Sequence, residues 1–504
     1  MNYEDSVSQT AKHEEPSQER ISSGIEGLDT ILAGGFIPGG ISIVQGRPGA
    51  GKTIFGNQMC FNHARSGRRA LYVTLLAESH ARMLMHLSSL TFFDHSAIPD
   101  SIYYISAFSV LESDGLRGLL TLLRREVQAH EASLLVLDGL VAAEREAASD
   151  IEFKKFVHEL QTLATITDCA MFLLTTPGSE EDEASVEHTM VECVIDLRSR
   201  LYGWRSERDM EVLKRRGASY LQGRHAFAIT DAGIAVYPRF EAMLARPTNV
   251  AWPGGVMIPS GLPQLDVMFG GGIPLNSMTM LEGPPGVGKT ALALHFLSPC
   301  SEAGTGLLFT TSENPNALIA KARAFGLPTA GLIEAGHIEV IWQPSTEGLL
   351  DAAFHNLLET VRRIGARRLC IDSLAGLLQL APDQSRLPSI FAALEHELRA
   401  LEVTTLFTAE TKDSYGHSGA LSLSGIPQGN LSSIADNIVI MRLIEQQSSL
   451  VRLISVLKAR DAPIDPRLRS FGIGAQGISI AETLDVAPAP RRSSRPTRSS
   501  QQDA

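Results

Sequence analysis

The octapeptide GRPGAGKT, Gly46 to Thr53, returns as GPPGVGKT from Gly283 to Thr290. Each copy follows a β-rich run and precedes a helical run, the setting that a phosphate-binding loop needs. Glycines at 46, 49 and 51 permit backbone angles that let successive amide N–H groups turn inward around an anion. Lys52 brings a positive charge to the β- and γ-phosphates of a triphosphate. Thr53 offers a hydroxyl to Mg2+ at the start of a helix, whose N-terminal dipole favours the anion. The nucleotide-binding candidates are therefore Gly46, Gly49, Ala50, Gly51, Lys52 and Thr53, and in the second copy Gly283, Gly286, Val287, Gly288, Lys289 and Thr290.

The repetition extends well beyond the loops. Ser22 to Thr53 aligns without a gap against Pro259 to Thr290, an offset of 237 residues (290 − 53). Shared positions include Gly24/Gly261, Leu28/Leu265, Asp29/Asp266 and Gly35/Gly272. A period of that size is a duplicated domain, not a solenoid. Short apolar runs alternate with helical patterns in both halves: ISIVQ, ALYVTLL, SLLVLD and AMFLLTT, then SMTMLE, GLLFTT, RLCID and TTLFTA. The segment from Leu116 to Ala129 has helical apolar spacing. Such alternation predicts α/β domains, each a mainly parallel sheet flanked by helices. We place the first domain at 19–246 and the second at 247–483, with the boundary where Pro and Gly accumulate. Residues 1–18 and the Arg/Ser/Pro-rich 484–504 are compositionally disordered tails, the latter a solvated tail or a partner contact.

A triphosphate site needs an acid for its metal. LLVLD ends at Asp138, 86 residues after Lys52, and LCID ends at Asp372, 83 residues after Lys289. Thr53 and Asp138, and Thr290 and Asp372, are the metal-site candidates. Hydrolysis also needs a group that orients or deprotonates water. Glu78 and Glu313 follow strands 26 and 24 residues after the loop lysines, at the sheet edge where the γ-phosphate would lie.

Composition narrows the setting. The net charge is −12, which argues against a general affinity for nucleic acid or anionic membrane. Five cysteines show no CxxC or zinc spacing, no apolar run is long enough to span a bilayer, and the N-terminal segment is polar. A reduced, cytoplasmic chain is expected.

Together these motifs resemble the RecA superfamily, and within it the KaiC-like ATPases built from two tandem RecA-type P-loop NTPase domains. The resemblance covers about Ile21 to Ile480. It rests on GIEGLDTILAGGFIPGG, on the segments around Glu78 and Glu313, and on Met210 to Pro238. It implies ATP and Mg2+ as cofactors and a homo-oligomeric ring, typically a hexamer. In the family a K-x-R-G element reaches the γ-phosphate held by a neighbouring subunit. Lys214 and Arg216 match it in KRRG; Lys458 and Arg460 match it in KARD, where Asp461 replaces the glycine. Ser432 and Ser433 fall on the family's autophosphorylated pair, and Met190 and Val191 take those places in the first half. A helix N-cap or strand-start serine is the competing reading. Ala77 and Ser312 stand where the family has the first of two adjacent glutamates, which favours hydrolysis over phosphotransfer. A nucleotide-gated scaffold and a DNA-acting RecA-type enzyme stay as alternatives, because a fold does not fix a function. Signalling partners are not named by the sequence.

Overall fold

The computed structural model describes residues 20–76, 80–177, 190–244, 254–300, 304–346, 348–381, 383–411, 435–446, 449–460 and 462–482. The chain divides into two compact units, Met1–Arg246 and Pro247–Ala504.

In the first unit, β1 (Ile41–Gly46), β2 (Ala70–Thr74), β3 (Ile102–Ser106), β4 (Leu134–Asp138), β5 (Ala170–Thr175), β6 (Cys193–Tyr202), β7 (Arg205–Arg215), β8 (Arg224–Thr230) and β9 (Gly233–Tyr237) form one sheet. Their order is β3-β2-β4-β5-β1-β6-β7-β8-β9. Neighbours from β3 to β6 run parallel; β6 to β9 fold back as antiparallel hairpins. The parallel strands are apolar at nearly every position because helices cover both faces. Phe55 and Met59 of helix Lys52–Arg65 pack on one face with Val136 and Phe172. Leu119 and Leu123 of helix Phe108–Ala129, with Phe156 and Leu160 of helix Asp150–Thr167, cover the other. The helix predicted from Leu116 begins earlier, at Phe108, and breaks at Gly115, whose φ is 62°.

The second unit repeats the plan. After a two-stranded ribbon of β10 (Met257–Ile258) and β11 (Ile273–Pro274) come β12 (Met278–Gly283), β13 (Gly306–Thr310), β14 (Ile338–Trp342), β15 (Arg368–Asp372), β16 (Thr404–Glu410), β17 (Asn437–Gln446), β18 (Ser449–Lys458), β19 (Arg469–Gly474) and β20 (Gly477–Ile480). Their order is β14-β13-β15-β16-β12-β17-β18-β19-β20. Both units are thus mainly parallel α/β sheets, as the alternation predicts. The antiparallel hairpins are the addition. Each is clipped to its loop helix by one polar side chain. Gln58 accepts from Ile234 N at 2.7 Å, and His295, at the same repeat position, accepts from Ile478 N at 2.9 Å.

All five cysteines are buried thiols. Among the described residues no helix is long and apolar enough to cross a membrane.

His63, near the end of helix Lys52–Arg65, is 4% exposed, with Nε2 2.8 Å from Ser133 Oγ. Burial, then nearby Arg68, pushes its pKa down to about 4. Below pH ~6.5 the unfolded chain binds a proton that the folded unit refuses. The contribution is therefore complete above that pH and is lost as pH falls towards 4, on the order of 3 kcal/mol in all. The urea midpoint of the full chain should drop between pH 7.5 and pH 5, and His63→Gln should narrow that drop. An unchanged drop would contradict the assignment.

Candidate nucleotide site

Each loop leaves the carboxyl end of the strand that precedes it and runs straight into a helix, Lys52–Arg65 or Lys289–Leu297. Gly49 and Gly51 have φ of 80° and 108°, and Gly286 and Gly288 have 75° and 121°, a region that side chains disfavour. At the loop entrance a Cβ on Gly46 would meet Leu197 O at 2.6 Å, and one on Gly283 would meet Met441 O at 2.8 Å. Lys52 Nζ donates to Gly46 O at 2.5 Å and to Arg47 O at 3.3 Å. Lys289 Nζ donates to Gly283 O at 2.8 Å and Pro284 O at 3.0 Å. Each ammonium is thus folded over its own loop. Burial lowers the pKa of both, against the opposing pull of Asp138 on Lys52, and of Glu410 and Asp372 on Lys289. A half-buried cation of this kind gains from an anion placed beside it.

The strand-end acids lie where the spacing puts them. Thr53 Oγ1 donates to Asp138 Oδ2 at 3.1 Å, and Thr290 Oγ1 donates to Asp372 Oδ2 at 2.8 Å. Both carboxylates are buried, at 6% and 4% exposure. Two further hydroxyls, which sequence reasoning missed, hold them: Tyr72 Oη donates to Asp138 Oδ2 at 2.7 Å, and Thr408 Oγ1 to Asp372 Oδ1 at 2.6 Å. Neither stands out in its strand: Tyr72 lies in ALYVT, and Thr408 lies in TTLFTAE among other threonines.

Glu313 sits just past β13, with its N–H donating to Thr310 Oγ1 at 3.2 Å. Its carboxylate is ion-paired with Lys321, one helix on. Glu78 lies outside the described residues, as do Ser432, Ser433 and Asp461. Met190 and Val191 are described, and Val191 is buried.

The basic pairs lie at the other edge of the sheet. Lys214 is level with Val194, and Val194 with Ile43. Arg216 N donates to Glu192 O at 2.8 Å, and Glu192 N to Ile41 O at 3.0 Å. Lys214 and Arg216 thus stand three and five residues below Gly46, about 10 and 16 Å along the strands at ~3.3 Å per residue. They are also displaced sideways, because β7 is two strands from β1. Neither side chain spans that gap to its own loop. In the second unit Lys458 Nζ donates to Ala435 O at 2.7 Å, and Arg460 pairs at 2.8 Å with buried Asp436, which Arg399 also holds at 2.9 Å.

The donor set fits a nucleotide triphosphate with Mg2+. Among the described residues no group of three or more His, Cys, Asp or Glu could hold a metal. One hydroxyl and one carboxylate per site suit an ion that takes its other ligands from phosphate and water.

The sequence matches the family profile described as "ATPase: KaiC" at residues 21–241 and 258–485. It is 26% identical to the circadian clock oscillator protein KaiC of Picosynechococcus sp. over 490 residues, 92% of this chain and 90% of that protein. The protein of the same name from Synechococcus elongatus is 26% identical over 483 residues, 91% of this chain and 88% of its own length. The Nostoc sp. protein is 26% identical over 490 residues, 92% and 90%. Two matched segments, two mainly parallel sheets and two glycine cradles agree: this chain belongs to the KaiC family of ATPases.

Proposed function

We propose that this chain hydrolyses ATP at both loops, in sites completed by the next subunit of a homo-oligomeric ring, by family analogy a hexamer. The observation that carries this reading is the placement of Lys214 and Arg216 at the sheet edge opposite their own phosphate loop. A cation that cannot serve its own site is suited to a neighbour's, and a cation arriving in trans stabilises the charge that develops on the γ-phosphoryl group.

The roles follow from the contacts. The loop amides and Lys52 or Lys289 bind the β- and γ-phosphates. Thr53 with Asp138, and Thr290 with Asp372, hold Mg2+, which when bound neutralises charge between the phosphates. Glu78 and Glu313 orient a water whose oxygen attacks the γ-phosphorus as the bond to ADP breaks. The second unit additionally carries the hydroxyl pair Ser432 and Ser433, which we assign as acceptors of the γ-phosphoryl group. The lost first glutamate at Ser312 makes that transfer the slower outcome. Equal duties for the two units are therefore not expected. The net charge of −12 disfavours a DNA-acting role.

Steady phosphate release with Mg·ATP tests the reading. The Lys52→Ala/Lys289→Ala chain should fall to background, at least about 100-fold below wild type. If wild type turns over no faster than that chain, the scaffold reading replaces this one. Intact mass after the same incubation should show added phosphate that disappears with Ser432→Ala and Ser433→Ala.

A further inference from the structure

The two units hold their metal-site acids by different means. In the first, Tyr72 reaches Asp138 from β2. The corresponding residue in the second is Leu308: Tyr72 stands opposite Val136, two residues before Asp138, and Leu308 opposite Cys370, two before Asp372. In the second, Thr408 reaches Asp372 from β16. Its counterpart is Leu174, since each stands opposite a residue two before the loop glycine, Leu281 and Val44. Besides the loop threonine, each repeat has thus placed a hydroxyl against the acid from one flanking strand and left the matching position on the opposite flank apolar.

The first unit goes further. Tyr104, opposite Tyr72 on β3, donates to Asn57 Oδ1 at 2.8 Å, and Asn57 Nδ2 donates to the main-chain oxygen of Thr53 at 2.8 Å. Asn57 and Tyr72 are fully buried. The matching positions in the second unit are Leu294 and Val340. A polar lattice therefore supports Thr53 and Asp138 from beneath, and apolar packing replaces it under Thr290.

We propose that Tyr72 in the first unit, and Thr408 in the second, are positioning residues that fix the metal-site carboxylate and set each site's affinity for Mg2+ independently. A hydroxyl donating to a buried carboxylate fixes its orientation, so the acid meets the cation already aimed. Tyr104 and Asn57 brace the main chain at Thr53. The inference rests on the nucleotide reading above.

The test is calorimetric titration of ATP into the full chain carrying Lys289→Ala, at graded Mg2+ and in EDTA. Adding Tyr72→Phe removes one oxygen and keeps the ring. The Mg2+ concentration that half-maximally tightens ATP binding should rise about tenfold, as losing an outer partner of a metal ligand does. Binding in EDTA should keep the parent's value. Thr408→Val in a Lys52→Ala chain should produce the same shift at the second site, and it decides the matter if Tyr72→Phe fails to fold. An unmoved Mg2+ midpoint, or equal weakening with and without metal, overturns the proposal. A Lys289→Ala parent that binds no Mg·ATP overturns the nucleotide reading itself, and is told apart because the failure precedes any change at Tyr72.

Discussion

Arg216→Ala in a Lys289→Ala chain is expected to lose ATP turnover by about 10³-fold while still binding ATP. The register carries the argument. Arg216 N is tied to Glu192 O, level with Ile41, and the loop begins five residues further on at Gly46. Strand geometry puts about 16 Å between those levels. An arginine side chain cannot close that distance and the sideways offset of two strands as well. If Arg216 acts, it acts on another subunit's phosphate, and the loss should be repairable in trans. Co-expressing Lys52→Ala subunits with Arg216→Ala subunits, both in the Lys289→Ala background, creates interfaces with one intact loop facing one intact arginine. Random mixing makes about a quarter of the interfaces complete, so about a quarter of the parent's rate should return. Neither subunit alone should show it. Restoration would not occur if Arg216 worked within its own unit.

Glu313→Gln should lower turnover at the second site by about 10²- to 10⁴-fold, with ATP binding retained. The amide keeps the shape, and the main-chain N–H still donates to Thr310, but the amide cannot accept a proton from water. Phosphate release from a Lys52→Ala chain, with and without the change, measures the effect; a loss under threefold would remove Glu313 from the mechanism. Lys321 sharpens the test. Its ammonium pairs with the Glu313 carboxylate, both side chains about a quarter to a third exposed. In the first unit the residue eight positions after Glu78 is His86, where Lys321 is eight after Glu313. The lysine is thus peculiar to the second repeat. Lys321→Met should change the rate of second-site turnover and leave the first site untouched.

Much of this was legible in the chain, and what was not has a physical cause. The two phosphate loops and the acids at Asp138 and Asp372 were readable because glycine conformation, a helix start and a buried strand end each constrain residue type tightly. The parallel strands were readable because burial on both faces removes polar residues from them. β3 and β14 were not singled out: IYYIS and IEVIW carry polar or aromatic residues on half-buried edge strands. The hairpins from β6 to β9 and β17 to β20 alternate too weakly to announce pairing, and in β6 and β7 arginines and acids are interleaved along both arms. Tyr72 and Thr408 were hidden for a different reason. Each looks like an ordinary strand residue until the neighbouring strand's register sets it against a carboxylate. The partner of Arg460 was hidden likewise, since Asp436 is distant from it along the chain and comes beside it only through the pairing of β17 with β18.

The central claim is that each unit holds its own triphosphate in a cradle of main-chain amides capped by a lysine. Counting bound nucleotide measures it most directly. Equilibrium binding of ATP with Mg2+ to the purified full chain should saturate at two per chain, and at one in each of Lys52→Ala and Lys289→Ala. A well-folded wild-type chain that takes up no adenine nucleotide, or single variants that bind as many as wild type, would contradict it.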